Sequence, residues 1–359
     1  MGRRIRVLMC GSDIGCVKGG MVTVAQNYLQ YSGWKKSELT YLATHTNGSL
    51  VRKISYFAGA VLKICFVLSQ RRYDIVHLHV AERGSFYRKA LLVRLCRRLN
   101  IPVVLQHHSA DFEDFYAEMN EKQKAYVKLI FETVDCNLVL SYFLQKQLLE
   151  KAPAANVIVL HNAVKVLSEQ IYSQSGRRIV MLGRQGRRKG SFDLLEAMAI
   201  IDRDLPEDIQ LWMCGDGDVE GVKKKAEELG ISRRIAHVGW IEGDEKEACL
   251  AEAMMHVLPS YREGMPMSIL ETMGRGIPNI STRIASVPEV IREGKTGLLI
   301  EPGDIRYLAE LLWQLAGDRE LRSRISREGR RLVMEDFSLE KNIAELEEIY
   351  ERVKRDASG

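Results

Sequence analysis

Twelve short runs rich in β-branched and other apolar residues alternate along the chain with stretches of helical periodicity. A repeated strand–helix alternation is typical of parallel sheets covered by helices on both faces. The runs lie at residues 5–10, 39–43, 75–80, 102–107, 136–141 and 157–160 in the first half, and at 178–182, 209–214, 235–238, 256–258, 278–281 and 297–300 in the second. Each half supplies one sheet. The sequence therefore predicts an α/β protein with two doubly wound, Rossmann-like domains.

The chain is long enough for this arrangement, because 359 residues with 46% hydrophobic content supply the core of two domains. The polar segment 164–176 separates the two sets of runs and is predicted to be the interdomain linker. The predicted domain boundaries are 1–165 and 166–337. A last amphipathic helix is predicted at 339–353, with Ile343, Leu346, Ile349 and Tyr350 on its apolar side.

Charge is distributed unevenly. Residues 1–165 hold 23 Lys and Arg against 12 Asp and Glu, a net of +11, whereas the remainder has 29 against 35, a net of −6. A basic half joined to an acidic half indicates an anionic partner for the first. A nucleic acid is the less favoured such partner, because the sequence has no helix-turn-helix, zinc or RNP pattern and little aromatic interleaving among its arginines.

The seven cysteines are dispersed and form no C-x-x-C pair, which favours a reducing compartment and argues against a structural zinc or disulfide framework. No signal peptide is expected, because the first apolar run is short and is itself a predicted strand. No transmembrane span is expected either. The longest apolar segment, 54–68, is interrupted by Lys63 and is shorter than the roughly 20 residues that a bilayer requires.

The stretch 258–278, LPSYREGMPMSILETMGRGIP, is the strongest candidate site. A strand leads through a loop into a helix in which Pro266 is predicted to be the first residue, so the backbone N–H groups of 264–267 point out of a helix N-terminus and favour an anion such as phosphate. Glu263 in the loop and Glu271 inside the helix bracket that site and are placed to bind sugar hydroxyls. An ordinary strand–loop–helix unit with two solvated glutamates is the alternative.

Two glycine-rich loops end other strands. In the second half, Gly183 precedes a basic loop in which Arg184 and Lys189 are best placed to neutralise a diphosphate, whereas a solvated loop explains Arg187 and Arg188 better. The loop is not a Walker A motif, because a glycine follows Lys189. In the first half, Gly19 and Gly20 open a helix, where they suit either a close ligand or a plain tight turn.

Two predicted strands of the first half carry histidines, one along its length and the other at its carboxyl end. His107 and His108 lie at the carboxyl end of the run 102–107, where ligands of open α/β sheets bind. His77 and His79 alternate along the preceding strand and are expected to be satisfied core or rim residues. Two look-alike motifs are set aside. After the G-D-G at 215–217, the third glycine of a dinucleotide fingerprint is misplaced, at Gly221, and Asp216 with Asp218 suits a turn better than a metal site.

Taken together, GRQGRRKG, CGDG, HVGWIEGDE, LPSYREGMPMSILETMGRGIPNISTRIASVPEVI and GKTGLLIEPGD, in this order and spacing, closely resemble the retaining glycosyltransferase family 4 enzymes of the GT-B fold. The match is specific over 178–304, where Glu263 and Glu271 form the E-x7-E pair. It is looser in the first half, through the Gly19–Gly20 pair, DIVHLHV, HHS, LVLSYFLQKQL and VLHNAV. There the chain carries Ala163 and Ser109 where the family usually has glycine.

The resemblance implies two Rossmann-like domains facing a cleft, with the first binding acceptor and the second the nucleotide-sugar donor, and a C-terminal helix at 338–359 that crosses back onto the first domain. It implies no cofactor and no metal, with a UDP- or GDP-linked sugar as co-substrate. The implied catalytic residues are Glu263, Arg184, Lys189 and His108. The implied donor-binding residues are Gly19, Gly20, Gly183, Gly264, Met265, Pro266, Met267 and Glu271.

A retaining, metal-independent glycosyltransferase in the cytoplasm is thus the leading interpretation. A GT-B-type epimerase or phosphorylase is the enzymatic alternative, and a nucleic-acid- or anion-binding protein the non-enzymatic one. The resemblance favours capsule, exopolysaccharide or lipopolysaccharide synthesis on a glycan or lipid-linked acceptor, and a small soluble acceptor such as a sugar phosphate is the alternative. The basic first half and two segments, 52–72 and 86–99, predict docking on the inner membrane surface. In the second segment, Arg94, Arg97 and Arg98 lie opposite an apolar helix face of Leu91, Leu92, Leu95 and Leu99, which is expected to cover the core.

Overall fold

A computed structural model describes residues 3–166 and 172–357. The chain divides into two units, Met1–Ala163 with Leu339–Gly359, and Val164–Ser338. The predicted linker 164–176 lies partly outside the described residues. Within the described part of the chain, no helix has the length and apolar character needed to cross a membrane.

All twelve predicted strands are present and pair in parallel. The first sheet has the order β2-β1-β3-β4-β5-β6 and the second the order β12-β11-β10-β7-β8-β9, where the strands are β1 (Ile5–Ser12), β2 (Ser37–His45), β3 (Ile75–Val80), β4 (Val103–His107), β5 (Cys136–Val139), β6 (Val157–Val159), β7 (Arg178–Leu182), β8 (Gln210–Cys214), β9 (Ile235–Gly239), β10 (Ala253–Leu258), β11 (Asn279–Thr282) and β12 (Leu298–Ile300). The predicted α/β architecture of two Rossmann-like sheets is confirmed.

Helices connect the strands in each unit. They are α1 (Gly20–Gln30), α2 (Leu50–Ser69), α3 (Gly84–Arg98), α4 (Phe112–Ala117), α5 (Glu121–Thr133), α6 (Tyr142–Lys151), α7 (Ser191–Ile201), α8 (Val219–Glu228), α9 (Gly243–Ala251), α10 (Met267–Gly274), α11 (Val287–Val290), α12 (Ile305–Gly317), α13 (Arg319–Asp336) and α14 (Leu339–Asp356).

The central strands are buried along their whole length, as parallel strands covered on both faces must be. Every residue of β3 and β10 is buried. His77 and His79 in β3 and His256 in β10 are therefore polar side chains inside a core, and each needs a hydrogen-bond partner there. The predicted core placement of His77 and His79 is observed.

The predicted apolar face of α3 is confirmed for Leu92, which is buried, and for Leu95, which packs against the core, but it is wrong for Leu91 and Leu99. Leu91 is 49% exposed and Leu99 is also exposed, so Leu91 shares the solvent side with Arg94 and Arg98. The buried face is formed by Phe86, Lys89, Ala90, Leu92, Val93 and Cys96. This face includes a lysine, and Lys89 Nζ donates a hydrogen bond there to Thr44 Oγ1.

Helix α14 belongs to the first unit and begins where it was predicted, ending three residues later. The four apolar residues assigned to its inner side are buried, as predicted. The Tyr350 hydroxyl lies 2.6 Å from His77 Nδ1, and Glu347 Oε1 accepts hydrogen bonds from the backbone N–H groups of residues 35, 36 and 37. Helix α14 is thereby bonded to the first sheet and to the loop that enters it.

Candidate active site

The predicted strand–loop–helix site is present in the second unit, with a small correction at the helix start. Pro266 has φ −71° and ψ 117°, and its carbonyl accepts a hydrogen bond from the Ile269 N–H at 3.2 Å. It is therefore the N-cap, and the helix begins at Met267, one residue later than predicted. The fixed φ of proline is compatible with both the N-cap and the first helical position, so only ψ distinguishes the two. The residues of the predicted anion site, Gly264, Met265, Pro266 and Met267, are buried.

Glu263 is a buried carboxylate with two partners. Its side chain is 6% exposed, and Oε1 accepts hydrogen bonds from Lys189 Nζ at 2.5 Å and from Ser260 Oγ at 2.6 Å. A carboxylate is stably buried in its charged form only when it is paired with a cation and hydrogen-bonded. The alternative of a solvated Glu263 is therefore wrong, and the loops after β7 and β10 meet in one ion pair.

Backbone contact between the two loops positions that pair. The Tyr261 N–H donates to Arg188 O at 2.9 Å, and Gly190, with φ 72°, packs so closely that an added Cβ would lie 2.1 Å from Pro259 O. Only glycine permits this approach and this backbone conformation. Lys189, one residue earlier, is held beside Glu263 as a consequence.

The other basic residues of the loop lie apart from the pair. The Arg184 side chain is 70% exposed and its partner is Asp216, with 4.0 Å between Nη1 and Oδ2. The Arg187 guanidinium lies 5.9 Å from the Phe192 ring centroid, and Arg188 Nη1 donates to Arg262 O at 3.4 Å. The structure thus brings Lys189, but not Arg184, into contact with Glu263.

The C-G-D-G motif supports the same loop. The Gly183 N–H donates to Cys214 O at 3.0 Å and the Gln185 N–H to Asp216 O at 2.6 Å. A Cβ at Gly215 would lie 1.9 Å from Gly183 O, and one at Gly217 would lie 2.3 Å from Gln185 O. These glycines let two backbones touch.

The two aspartates of this motif have structural partners. Asp218 accepts the Gly221 N–H at 3.0 Å as the N-cap of α8, and Asp216 pairs with Arg184. No three His, Cys, Asp or Glu side chains converge as a candidate metal site within residues 3–166 and 172–357.

Glu271 is paired with a lysine that sequence reasoning missed. Lys246 Nζ from α9 lies 2.7 Å from Glu271 Oε1 and 2.8 Å from Oε2, and Arg275 lies 3.9 Å from Oε1. The Glu271 side chain keeps 25% of its surface exposed, so an oxygen can still meet a ligand hydroxyl. Lys246 lies 25 residues earlier in the chain. No spacing rule pairs residues that far apart on separate elements.

In the first unit, the paired glycines lie at an exposed helix start. Gly19 is the N-cap of α1 with φ 133°, and its carbonyl accepts the N–H groups of Val22 and Thr23. Nothing lies within 4 Å of a Cβ built at Gly19, so the positive φ rather than crowding requires glycine. Gly20 begins the helix, and both glycines are exposed.

His108 is bonded to a buried histidine. His79 Nδ1 and His108 Nε2 are 2.8 Å apart, while His107 Nε2 lies 3.1 Å from Asn137 Oδ1. Burial lowers the pKa of His108 to about 3 and the pKa of His79 well below its usual value, so both imidazoles are neutral. The Ser109 hydroxyl, at a position where the resembled family has glycine, donates to Glu82.

Comparison with known proteins identifies the class. Residues 168–332 match the family model for glycosyl transferases group 1, and residues 35–166 match that for glycosyltransferase family 4. The fold is shared with a sucrose-phosphate synthase from Thermosynechococcus elongatus, at TM-score 0.76 and 18% identity over 98% of this chain and 99% of that one. The chain is a GT-B glycosyltransferase. The retaining stereochemistry remains a prediction.

Further relatives of this glycosyltransferase span most of its length. An uncharacterized 41.2 kDa protein in the cps region of Klebsiella pneumoniae is 26% identical over 82% of this chain and 87% of its own. The UDP-Gal:α-D-GlcNAc-diphosphoundecaprenol α-1,3-galactosyltransferase of Escherichia coli is 25% identical over 84% and 82%. Anabaena HepE, solved in complex with UDP-glucose, superimposes at TM-score 0.77 and 13% identity over 97% of this chain and 100% of that one.

Gly215→Ala is expected to destabilise this glycosyltransferase by about 1–3 kcal/mol, because the added Cβ overlaps Gly183 O. Displacement of residues 183–190 should also weaken donor binding. Gly317→Ala is the matched control, since its Cβ would meet nothing within 4 Å, and it should leave stability unchanged or slightly raised. Urea unfolding of both variants measures the difference, and equal stabilities would contradict the close approach.

The glycosyltransferase is expected to become less stable as the pH is lowered below about 6.5. His256 Nδ1 donates to Asn279 Oδ1 at 2.6 Å and Nε2 accepts the Leu182 N–H, so the folded protein holds it neutral. Burial lowers the pKa of His256 to about 4 and that of His77 to about 3. Between those values and the unfolded pKa of about 6.5, the unfolded chain binds more protons.

Each of these histidines should therefore lower the free energy of unfolding by up to about 1.4 kcal/mol per pH unit as pH falls through that window, with no effect above it. Urea unfolding from pH 7.5 to 5 measures the slope. His256→Asn should remove the contribution of His256 to this slope, which is up to about 1.4 kcal/mol per pH unit, while the contributions of the other buried histidines remain. An unchanged slope in this variant would show that His256 titrates normally in the folded protein.

Proposed function

We propose that this glycosyltransferase is a retaining, metal-independent enzyme that transfers a sugar from a UDP- or GDP-linked donor to a glycan or lipid-linked acceptor. The setting proposed is synthesis of bacterial-type capsule, exopolysaccharide or lipopolysaccharide at the cytoplasmic face of the membrane. Two relatives support it: one is encoded in a cps region, and another is named for an acceptor on diphosphoundecaprenol.

The observation that carries the proposal is the Lys189–Glu263 ion pair, with 2.5 Å between Nζ and Oε1. The leaving group is a nucleoside diphosphate, whose charge grows as the sugar–oxygen bond breaks. Lys189 is placed to stabilise that charge, and its weakly exposed side chain makes the interaction stronger than it would be in water. Arg184, exposed on the same loop, is free to swing toward a bound diphosphate.

Glu263 orients the pair and binds the donor sugar in this proposal. The sugar would pass through an oxocarbenium-like state, with the acceptor oxygen attacking the face from which the diphosphate departs. The departing phosphate oxygen takes the acceptor proton, so that the new glycosidic bond replaces the sugar–phosphate bond and the configuration is retained. No protein carboxylate is needed as a covalent nucleophile on this route.

A panel of sugar nucleotides with glycan and lipid-linked acceptors tests the proposal. Release of UDP or GDP that continues in EDTA, with a product of the same anomeric configuration by NMR, is the expected result. Isomerisation of the sugar would identify an epimerase, and phosphate-dependent cleavage of a glucan a phosphorylase. Thermal-shift measurements with UDP-, GDP- and ADP-sugars identify the base independently of turnover, because a ligand bound by the native state raises its apparent stability.

Glu271→Ala is expected to raise the donor KM roughly tenfold with little change in kcat, because it removes charge-assisted hydrogen bonds to the ribose hydroxyls that form equally in the ground state. Glu247→Ala is the matched control. Glu247 binds Arg275 bidentately at 2.7 Å and is half exposed, and its loss should leave the donor KM unchanged. A fall in kcat at constant KM would contradict the ribose-binding role and would assign Glu271 to the chemical step.

A further inference from the structure

Helix α2 exposes an apolar surface. Its inner face buries Ala60, Ile64 and Leu68. Its other sides expose Leu50, Val51, Ile54, Leu62 and Phe66, each between 60% and 77%, and these five residues are named the α2 ridge. A helix that is apolar around most of its circumference normally lies in a core or a membrane. Here the first unit covers only one side of it.

The charges of α2 distinguish among the partners that could cover the ridge. The helix contains Arg52, Lys53 and Lys63 and no acidic residue, and Arg71 and Arg72 follow its end. Arg52 and Lys63 are exposed. A second copy seated on the same surface would bring these cations toward their own counterparts, because a two-fold interface pairs a surface with itself. An anionic leaflet has the complementary charge for the cations and an apolar layer for the ridge.

We propose that α2 is an interfacial helix that lies in the plane of an anionic membrane leaflet, with the α2 ridge among the acyl chains and its cations among the headgroups. Twenty residues make a helix about 30 Å long, and such helices insert their apolar side about 5–10 Å deep. The inference deepens the proposed function, since it brings the first unit to the surface where a lipid-linked acceptor is presented. It does not depend on catalysis.

Flotation with phosphatidylcholine vesicles and with vesicles containing phosphatidylglycerol tests the inference. Leu62→Ser and Phe66→Ser should each lower partitioning into anionic vesicles about tenfold, because each removes a large apolar side chain from the insertion surface. Leu129→Ser is the matched control, because Leu129 is 58% exposed on α5, a different helix of the same unit. It should float like the unmodified protein. Lys63→Gln should weaken binding to anionic vesicles only, and less so at high salt.

The ridge itself can be observed with Phe66→Trp, whose emission should shift to the blue and be quenched by brominated acyl chains on anionic vesicles. Absence of vesicle binding, or loss of binding in Leu129→Ser equal to that in the ridge variants, would overturn the proposal. Ridge variants that change the mass in solution but not flotation would assign the surface to a second copy instead. All these readouts are independent of transferase activity, so an inactive enzyme that floats would contradict only the proposed function.

A separate observation concerns His79. It is fully buried, and its Nδ1 lies 2.8 Å from His108 Nε2, in two rings inclined by only 23°. Because both imidazoles are neutral, one of these two nitrogens donates a hydrogen bond and the other accepts it. His79 Nε2 is also buried and has no hydrogen-bond partner among residues 3–166 and 172–357. A proton on that Nε2 would be a buried N–H without an acceptor, which is rarer in proteins than an unpaired acceptor. The proton of His79 therefore belongs on Nδ1, from which it donates to His108.

We infer that His79 is a positioning residue that holds neutral His108 as the Nδ1–H tautomer, so that His108 offers a hydrogen-bond donor to its ligand. The inference rests on the proposed role of His108 near the transferred sugar, where a donor binds a sugar oxygen. The opposite tautomer would offer a lone pair to that oxygen and repel it. His79 thus acts through His108 and without contact to substrate.

Nitrogen-15 NMR of histidine-labelled protein reads the tautomer directly in the unmodified enzyme. Protonated Nδ1 on both His79 and His108 is expected, and protonated Nε2 on His108 would overturn the inference whether or not the protein is active. His79→Asn keeps an N–H donor where Nδ1 lies and should preserve the His108 tautomer and kcat. His79→Phe should leave His108 free to adopt either tautomer and should lower kcat about tenfold. Equal kcat in the two folded variants would reduce His79 to a packing role.

Discussion

Lys189→Ala is expected to lower kcat by about two orders of magnitude or more. The Lys189 charge interacts more strongly with the diphosphate as it departs than with the intact donor, so its loss resembles removal of an oxyanion-hole donor. Arg187→Ala is the matched control, because Arg187 is an exposed cation of the same loop that stacks on Phe192 and has no contact with Glu263. It should leave kcat within about twofold, the small effect usual for an exposed side chain. Steady-state kinetics with saturating donor measure both.

A loss of activity in Lys189→Ala also needs to be separated from a loss of stability, because Glu263 is left buried with Ser260 as its remaining partner. The double variant Lys189→Ala/Glu263→Gln removes the unpaired charge. It should recover thermal stability without recovering turnover. Turnover at the unmodified rate in Lys189→Ala would show that the diphosphate binds elsewhere.

Glu347→Ala is expected to destabilise the first unit by about 1–3 kcal/mol. Glu347 is buried, and Oε1 accepts three backbone N–H groups, from residues 35, 36 and 37, at 3.1, 2.6 and 2.8 Å. Removing the carboxylate leaves the buried Ser37 N–H without this acceptor, and one unsatisfied buried donor costs about 1–3 kcal/mol. The N–H groups of residues 35 and 36 are only partly buried, so water can replace the carboxylate there at a smaller cost. The loop that enters β2 and helix α14 would lose their shared anchor.

Glu351→Ala is the matched control one turn further along α14. Glu351 pairs with Lys36 Nζ at 2.7 Å, but both side chains are nearly half exposed. Exposed ion pairs contribute about 0–1 kcal/mol, so this variant should be close to the unmodified protein. Chemical unfolding followed by tryptophan fluorescence compares the two, with Trp34 beside the loop as a local probe. Similar losses in both variants would refute the distinction between buried and exposed glutamates.

The strand pattern could be interpreted correctly because it depends on neighbouring residues alone. A run such as 178–182 is apolar at four of its five positions, which is typical of a strand buried on both faces, and the intervening segments have the period of a helix. The prediction for α3 was only partly correct, because spacing along a helix does not show how much of its surface the neighbouring elements cover. Leu92 is buried, but Leu91 and Leu99 are exposed. The buried side also holds Lys89, whose hydrogen-bond acceptor is Thr44, 45 residues earlier.

The candidate site was predictable in its parts but not in its contacts. Glycine-rich loops after strands, and carboxylates at a helix start, indicated which segments carry ligand-binding chemistry. That Lys189 binds Glu263 depends on the close approach of Gly190 to Pro259. That Lys246 binds Glu271 depends on α9 lying within side-chain reach of α10. Arg184 and Lys189 looked equivalent in the sequence, and only the three-dimensional path of the loop separates them.

The sequence by itself thus determined the elements, their parallel pairing and the loops that carry chemistry, because propensity, periodicity and glycine conformation act over a few residues. The tertiary structure decided which side chains are partners. The pairs Lys189–Glu263, His79–His108 and Glu347 with the backbone at residue 37 are separated by 74, 29 and 310 residues. Such pairs form only when the order of strands in a sheet brings distant segments together, and burial there makes each hydrogen bond matter.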